Sequence, residues 1–257
     1  MVRVLLRRIH NKLLCFYGVV MSCKGCGQKS KLIKAHIIPE AFFTGLRDGE
    51  KAPRILSNTP GVYPKKSPIG VYDQSILCRV CEDKFQQLDD YGYRVLIGSE
   101  DNHEILYQES GEIKGYKFHG VDNNLLKLFF ISILWRASIS THSFYSKVEL
   151  GELEELAQQS IWNMDPLDSH SFSFVLGKFE GDASGRTMLD PHAEEWFGVK
   201  YFRFYLYGYI LYIKSEQTET PESWAHFIPD NDSLIVVSRG KFEDSKEFLV
   251  IKEALET

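Results

Sequence analysis

Residues 123–138 read NNLLKLFFISILWRAS, with apolar residues spread nearly all round a helix. A stretch of helical length with no polar face predicts a helix buried on all sides. Residues 150–162, LGELEELAQQSIW, gather their apolar positions on one side and predict an amphipathic helix. Downstream, SFSFVLGKF, KYFRFYLYGYILYIK and SLIVVS are strand-like, rich in aromatic and β-branched residues. The second of these predicts one long central strand. Its aromatic residues are read as core, although stacked aromatics can also bind bases. Residues 101–120 predict a strand pair around the turn ESGEIKG.

The first third is built differently. A C-x-x-C pair is followed by a short apolar strand, LIKAHIIPE (32–40), which Pro39 stops. Residues 42–70 are rich in Gly, Pro, Lys and Ser and predict an exposed loop. ILCRVCEDKFQQLDDYGYRVL then runs through a second C-x-x-C pair into a helix. The expected organisation is a basic extension over 1–21, a zinc-knuckle module over 22–98 and a mixed α+β unit over 99–257. The fold class is α+β.

Composition excludes disordered and collagen-like classes, with 44% hydrophobic and 25% charged residues. The net charge of −5 argues against a general nucleic-acid coat. The charge is uneven, however. Residues 1–20 carry Arg3, Arg7, Arg8 and Lys12 and no acid. Residues 21–84 carry 11 basic against 6 acidic residues, and the remainder 15 against 29. A basic first third suits a polyanion-binding module, and equally a Lys-rich zinc module kept soluble by charge. The first twenty residues read as an extension upstream of a start at Met21 or as a basic amphipathic helix. The most apolar run, LLKLFFISILW, is too short to cross a bilayer, so no stable membrane insertion is expected.

Four of the five cysteines form the two pairs, Cys23 with Cys26 and Cys78 with Cys81; Cys15 is left over. Two C-x-x-C turns supply four thiolates, a closed tetrahedral shell for a structural Zn²⁺ with no open position for chemistry. Paired knuckles in a chain of this length predict a reduced compartment and a cytoplasmic protein.

The order of these parts resembles the HNH endonuclease family, the ββα-metal nucleases, in its members that carry a four-cysteine zinc site. Those members show C-x-x-C, a strand with A/D-H-I-x-P, then N-x-x-x-L-C-x-x-C-H leading into a helix. Here the matching residues are Cys23 and Cys26, Ala35-His36-Ile37-Ile38-Pro39, Asp73, and Leu77-Cys78-x-x-Cys81-Glu82, over about residues 22–90. The resemblance implies a ββα-metal module that cleaves DNA phosphodiesters. In it, His36 is the general base, and a catalytic Mg²⁺ or Mn²⁺ sits beside it, distinct from the zinc. Asp73 stands where the family has Asn and can orient His36 or ligate metal. Glu82 stands where the family has its last His and keeps a metal-binding oxygen. Ala35 adds no ligand. Helical spacing places Glu82, Gln86 and Asp89 on one face, so Asp89 (or Asp90) can supply a further oxygen.

Lys24, Lys29, Lys31, Lys34, Lys65, Lys66 and Arg79 surround the motif. Of these, Lys34, Lys65, Lys66 and Arg79 are the candidate phosphate contacts. The altered Asn and His positions keep a second reading open, a zinc-stabilised adaptor without catalysis that binds nucleic acid or protein. The 99–257 unit matches no motif and is the candidate surface for a protein partner.

Overall fold

The computed structural model describes residues 21–44, 46, 52–57, 59, 62–98, 103–180, 187–229 and 233–256. Residues 1–20 of the basic extension, Cys15 among them, lie outside the described residues. The fold is mixed α+β, with one large sheet and several helices.

The first third opens with a hairpin of β1 (Met21–Ser22) and β2 (Lys29–Ser30), and the first knuckle forms its turn. β3 (Ala35–His36) is far shorter than the apolar run suggests. Pro39 ends it, and α1 (Glu40–Thr44) begins at once, burying Phe42 and Phe43. The expected loop over 42–70 thus starts as a helix, whose first turn is favoured by Glu40. Further structure lies within that span: β4 (Arg54–Leu56) pairs antiparallel with β5 (Lys65–Lys66). β6 (Tyr72–Asp73) then pairs with β3, and α2 (Arg79–Glu82) and α3 (Gln86–Leu96) follow the second knuckle.

β7 (His103–Tyr107) and β8 (Ile113–His119) are the expected strand pair. α4 (Asn123–Ser138) is the predicted core helix, started by Asp122, whose side chain accepts from the Asn124 and Leu125 amides at 3.0 Å each. α5 (Leu153–Asn163) is the amphipathic one. β9 (Phe174–Glu180), β10 (Thr187–Leu189) and β11 (His192–Trp196) come next. The expected long strand is two: β12 (Val199–Leu206) and β13 (Tyr209–Lys214). Between them Tyr207 and Gly208 take φ of 50° and 81°, the two left-handed positions of a tight hairpin turn. The aromatic run concealed that turn, because only Gly208 signals it. α6 (Glu222–Ala225), β14 (Ser233–Lys241) and α7 (Lys246–Glu256) complete the chain.

Seven strands form the large sheet in the order β11-β12-β13-β9-β14-β8-β7, antiparallel except for β14 with β9. α4 is apolar all round because both of its sides are covered. One side meets the first third, where Phe129 stacks on Phe42 at 5.7 Å and Trp135 on Phe85 at 6.1 Å. A Cβ at Gly92 would come within 2.4 Å of the Phe129 ring, so α3 and α4 approach closely only because that residue is Gly. The other side meets the sheet, where Phe130 packs on Phe174 at 4.7 Å. The larger hydrophobic core therefore runs from Cys23 to Val236, across the boundary at residue 98, and a smaller cluster around Tyr201, Tyr212 and Phe242 lies apart from it. β4 reinforces the join by pairing in parallel with β10.

Candidate metal centre and the His36 site

The two knuckles are brought together by backbone pairing. The Lys24 amide donates to the Ile76 carbonyl at 2.8 Å, the Ile33 amide to Leu77 at 3.0 Å, and Leu32 bridges to Cys78. Inside the first turn, the Gly27 amide donates to the Cys23 carbonyl. In the second, the Cys81 and Glu82 amides donate to the Cys78 carbonyl as α2 begins. The four sulfur atoms then lie within 4.8 Å of one another, with Cys26 Sγ and Cys78 Sγ 3.9 Å apart. A tetrahedral ion with Zn–S bonds of about 2.3 Å has sulfur atoms about 3.8 Å apart, so the donor set fits a metal such as zinc. Burial opposes ionisation at Cys78, but the Cys81 amide and the neighbouring thiols outweigh it and bring the group to about 7. Burial, and then the surrounding thiols, push Cys81 up. A divalent cation held there would resolve that conflict by keeping every thiol as thiolate. A Cβ at Gly25 would lie 2.9 Å from Cys81 Sγ and 3.1 Å from Trp162, so the knuckle closes only around Gly. Among the described residues, no other group of three or more His, Cys, Asp or Glu side chains converges in this way.

The β3–β6 register pairs Ala35 with Asp73 and His36 with Tyr72. Cross-strand partners share a face, so Asp73 and His36 lie on opposite faces of the hairpin. Asp73 is not brought beside the histidine. Its carboxylate accepts from the Ser75 amide (2.8 Å) and hydroxyl (2.6 Å), the Ser140 hydroxyl (3.0 Å), and the Thr141 amide (2.6 Å) and hydroxyl (3.0 Å). Asp73 ties the hairpin to the end of α4. Burial works against its ionisation, yet the bonds to Ser75 and Thr141 hold it at about 2.

That depression has a sign. The folded state binds the proton less tightly than the unfolded chain, so the stabilisation is complete above the ordinary carboxylate range and lost as pH falls toward 2. Asp73→Asn is expected to cost about 2 kcal/mol at pH 7, with roughly half of the gap gone at pH 3. Paired urea titrations of variant and wild type check this, since any acid loss of metal is common to both. A gap that does not change with pH would count against it.

Glu82 does reach the histidine strand. Its Oε1 accepts from the His36 amide at 3.2 Å, and its Oε2 is buried without a hydrogen-bond partner among the described residues. Burial raises its pKa against the pull of Arg136 and of the His36 amide. His36 Nε2 is likewise buried without a hydrogen-bond partner among the described residues, with Glu40 Oε2 at 3.9 Å. Burial lowers the His36 pKa; Glu40, Asp89 and the Ile69 carbonyl oppose that, and Arg136 adds to it. The ring is therefore neutral at neutral pH.

Asp89 is committed elsewhere. Arg136, fully buried in α4, grips both of its oxygens, with Nη2 to Oδ1 at 2.6 Å and Nη1 to Oδ2 at 3.0 Å. Arg136 Nη1 also donates to the His36 carbonyl at 2.9 Å, and the guanidinium lies 4.5 Å from the Phe85 ring centroid. Asp90 points into a separate groove with Lys84, Tyr91 and Arg94. Lys34, Lys65, Lys66 and Arg79 are all exposed. Lys34 Nζ sits 4.9 Å over the Tyr72 ring, and Arg79 pairs with Asp83 at 3.5 Å. Sequence reasoning missed Arg136, Glu40 and Tyr72. The signal for Arg136 was present: a guanidinium inside an apolar helix must find a buried partner.

Comparison with protein-family models, with curated proteins and with solved structures finds no match. No helix among the described residues is long and apolar enough to cross a membrane.

Proposed function

We propose that the protein is a metal-dependent phosphodiester hydrolase of the HNH type acting on DNA, with a structural zinc in the four-cysteine centre and His36 as general base. One observation carries the reading: an imidazole nitrogen and a carboxylate oxygen, each buried and unpartnered, on two elements joined by the His36 amide bond to Glu82. Other buried side-chain atoms of the structure are left the same way, but this adjoining pair is one that hydrolysis can use. The sequence of hairpin, knuckle and helix supports the same reading.

His36, neutral at working pH, takes the proton from a water that attacks phosphorus. The new bond is from the water oxygen to phosphorus, and the bond to the leaving sugar oxygen breaks. Glu40, 3.9 Å from Nε2, stabilises the imidazolium that results. Glu82 Oε2 and Glu40 are the oxygens left to hold a divalent ion, since Asp73 and Asp89 are fully engaged. Mg²⁺ or Mn²⁺ bound there supplies charge neutralisation at the scissile phosphate. Lys34, Lys65 and Lys66 contact phosphates, which makes binding salt-sensitive.

Supercoiled plasmid nicking with Mg²⁺ or Mn²⁺ tests the assignment. His36→Ala is expected to slow nicking by about 100-fold or more, a general base's usual share, with zinc content unchanged. The wild-type rate should rise with pH through a value below the ordinary histidine pKa and then level off. Nicking that survives the substitution refutes His36 as base. The second reading, an adaptor without chemistry, draws on the engagement of Asp73 and Asp89, which leaves fewer metal ligands than the sequence offers. It expects salt-dependent DNA binding and no nicking with either metal.

A further inference from the structure

The face of the hairpin that carries His36 extends beyond that residue. Strand alternation puts Lys34 on the side of His36, and the register adds Tyr72 to it. Exposure follows the same alternation. Lys34 is exposed, Ala35 buried and His36 half-buried; across the pair, Val71 and Asp73 are buried and Tyr72 is half-buried between them. The Tyr72 ring meets the His36 ring edge-on, with centroids 5.8 Å apart at 67°, while the Lys34 ammonium lies over it. A large aromatic ring thus stands outward beside the candidate base, next to an exposed cation.

A second observation comes from the β4–β5 hairpin. Arg54 stands directly across from Lys66 and shares its face, while Lys65, one residue along, takes the other face of the hairpin. Like charges placed opposite one another destabilise a strand pair, and a bound polyanion removes that penalty. Residues 52–76 hold one acid, Asp73, and its carboxylate is consumed by hydrogen bonds. Residues 67–70 lead from β5 into β6, and the Ile69 carbonyl lies against the His36 ring. At about 3.5 Å per residue, the Lys66 backbone is within roughly 10 Å of that carbonyl.

We propose that this face seats single-stranded DNA, with one unpaired base stacked on Tyr72 and the flanking phosphates on Lys34, Arg54 and Lys66. The choice of nucleic acid rests on the phosphodiesterase reading. The choice of an unpaired base rests on the ring: bases inside a duplex are covered on both faces by their neighbours, so only an unpaired or terminal base offers a face to Tyr72. Stacking of this kind tolerates any base. Lys34 exchanges its position over the ring for a phosphate contact when the base arrives.

The test is fluorescence anisotropy of the zinc-loaded protein with a labelled oligothymidine and with a short duplex, in buffer without Mg²⁺ or Mn²⁺. A parallel oligonucleotide carrying 2-aminopurine reports stacking by quenching. Single strands should bind more tightly than duplex. Tyr72→Ala should weaken single-strand binding by about 10-fold or more and abolish the quenching, and Tyr72→Phe, which keeps the ring, should stay within about 2-fold. Should Tyr72→Ala not fold, Tyr72→Leu keeps bulk without a π-face and is judged by the same criteria. A folded variant lacking the ring that retains wild-type affinity and quenching overturns the proposal, as does equal, Tyr72-independent binding of duplex. Tyr72-dependent binding by a protein that never nicks removes the phosphodiesterase reading and supports this one. Nicking that ignores Tyr72 overturns this one alone.

Discussion

Stripping the metal from the four-cysteine centre should abolish cooperative folding of the whole chain, with the amino-terminal third unable to melt as a separate unit. A structural zinc site contributes about 10–16 kcal/mol in small zinc modules. That matches or exceeds the 5–15 kcal/mol by which ordinary domains are stable. Here the effect has a route into the rest of the molecule. Cys23, Cys78 and Cys81 belong to the same core as Phe85, Trp135 and Phe174. Trp162 of α5 packs on Phe85 at 5.8 Å, and the Gln158 amide side chain donates to the Gly25 carbonyl at 2.8 Å. Four thiols left without a cation are either protonated and loosely packed or ionised and repelling. The expected result is one bound metal per chain by elemental analysis. On chelation, the thermal transition seen by circular dichroism should drop steeply, and that of tryptophan fluorescence should move with it. Cys81→Ser should reproduce the loss without chelator. A melt that chelation does not move would remove the structural role of the metal.

Replacing Arg136 with Met should be strongly destabilising. The guanidinium is fully buried, and Asp89 retains some contact with solvent, its side chain 20% exposed. Breaking a buried pair costs about 3–5 kcal/mol because one charge stays behind unpaired. The partial exposure of Asp89 points to the lower end of that range, about 3 kcal/mol. The His36 carbonyl and Ser132 lose a donor as well. A double-mutant cycle with Asp89→Leu separates the pair from the rest. If the ion pair dominates, Arg136→Met with Asp89→Leu should recover much of the single-variant loss, as buried pairs replaced together often do. Additive losses in urea midpoints would show that the two residues act independently. Under the proposed function, Arg136→Met should also impair nicking, because one guanidinium spans the strand of His36 and the helix that follows Glu82.

Periodicity and spacing alone made much of the molecule legible. The cysteine pairs announced themselves because a tetrahedral ion demands two short turns, and a C-x-x-C turn is a local feature. The strongly apolar run at 123–138 identified the central helix, since its composition is a statement about what surrounds it. Alternating aromatic residues placed most of the sheet. His36 drew notice through its position between the knuckles. The errors were of a different kind. A two-residue turn at Tyr207–Gly208 hid inside an aromatic run, because aromatic side chains favour strands on either side of it. α1 hid inside a stretch whose Gly and Pro content suggested only loop.

What the sequence could not decide was which acid goes to which partner. Asp73, Glu82 and Asp89 looked alike as candidates beside His36. The tertiary structure gave Asp73 to Ser75, Ser140 and Thr141, and Asp89 to Arg136, and left only Glu82 against the histidine strand. Those assignments depend on residues far along the chain; Arg136 lies 100 residues from His36. A carboxylate takes whichever donors the packed core brings within hydrogen-bond distance, and no local pattern encodes that outcome. The same holds for the boundary at residue 98. Composition drew a boundary there, and a hydrophobic cluster runs across it because burying α4 uses surface from both sides, while a second, smaller cluster around Tyr212 and Phe242 lies within the later residues.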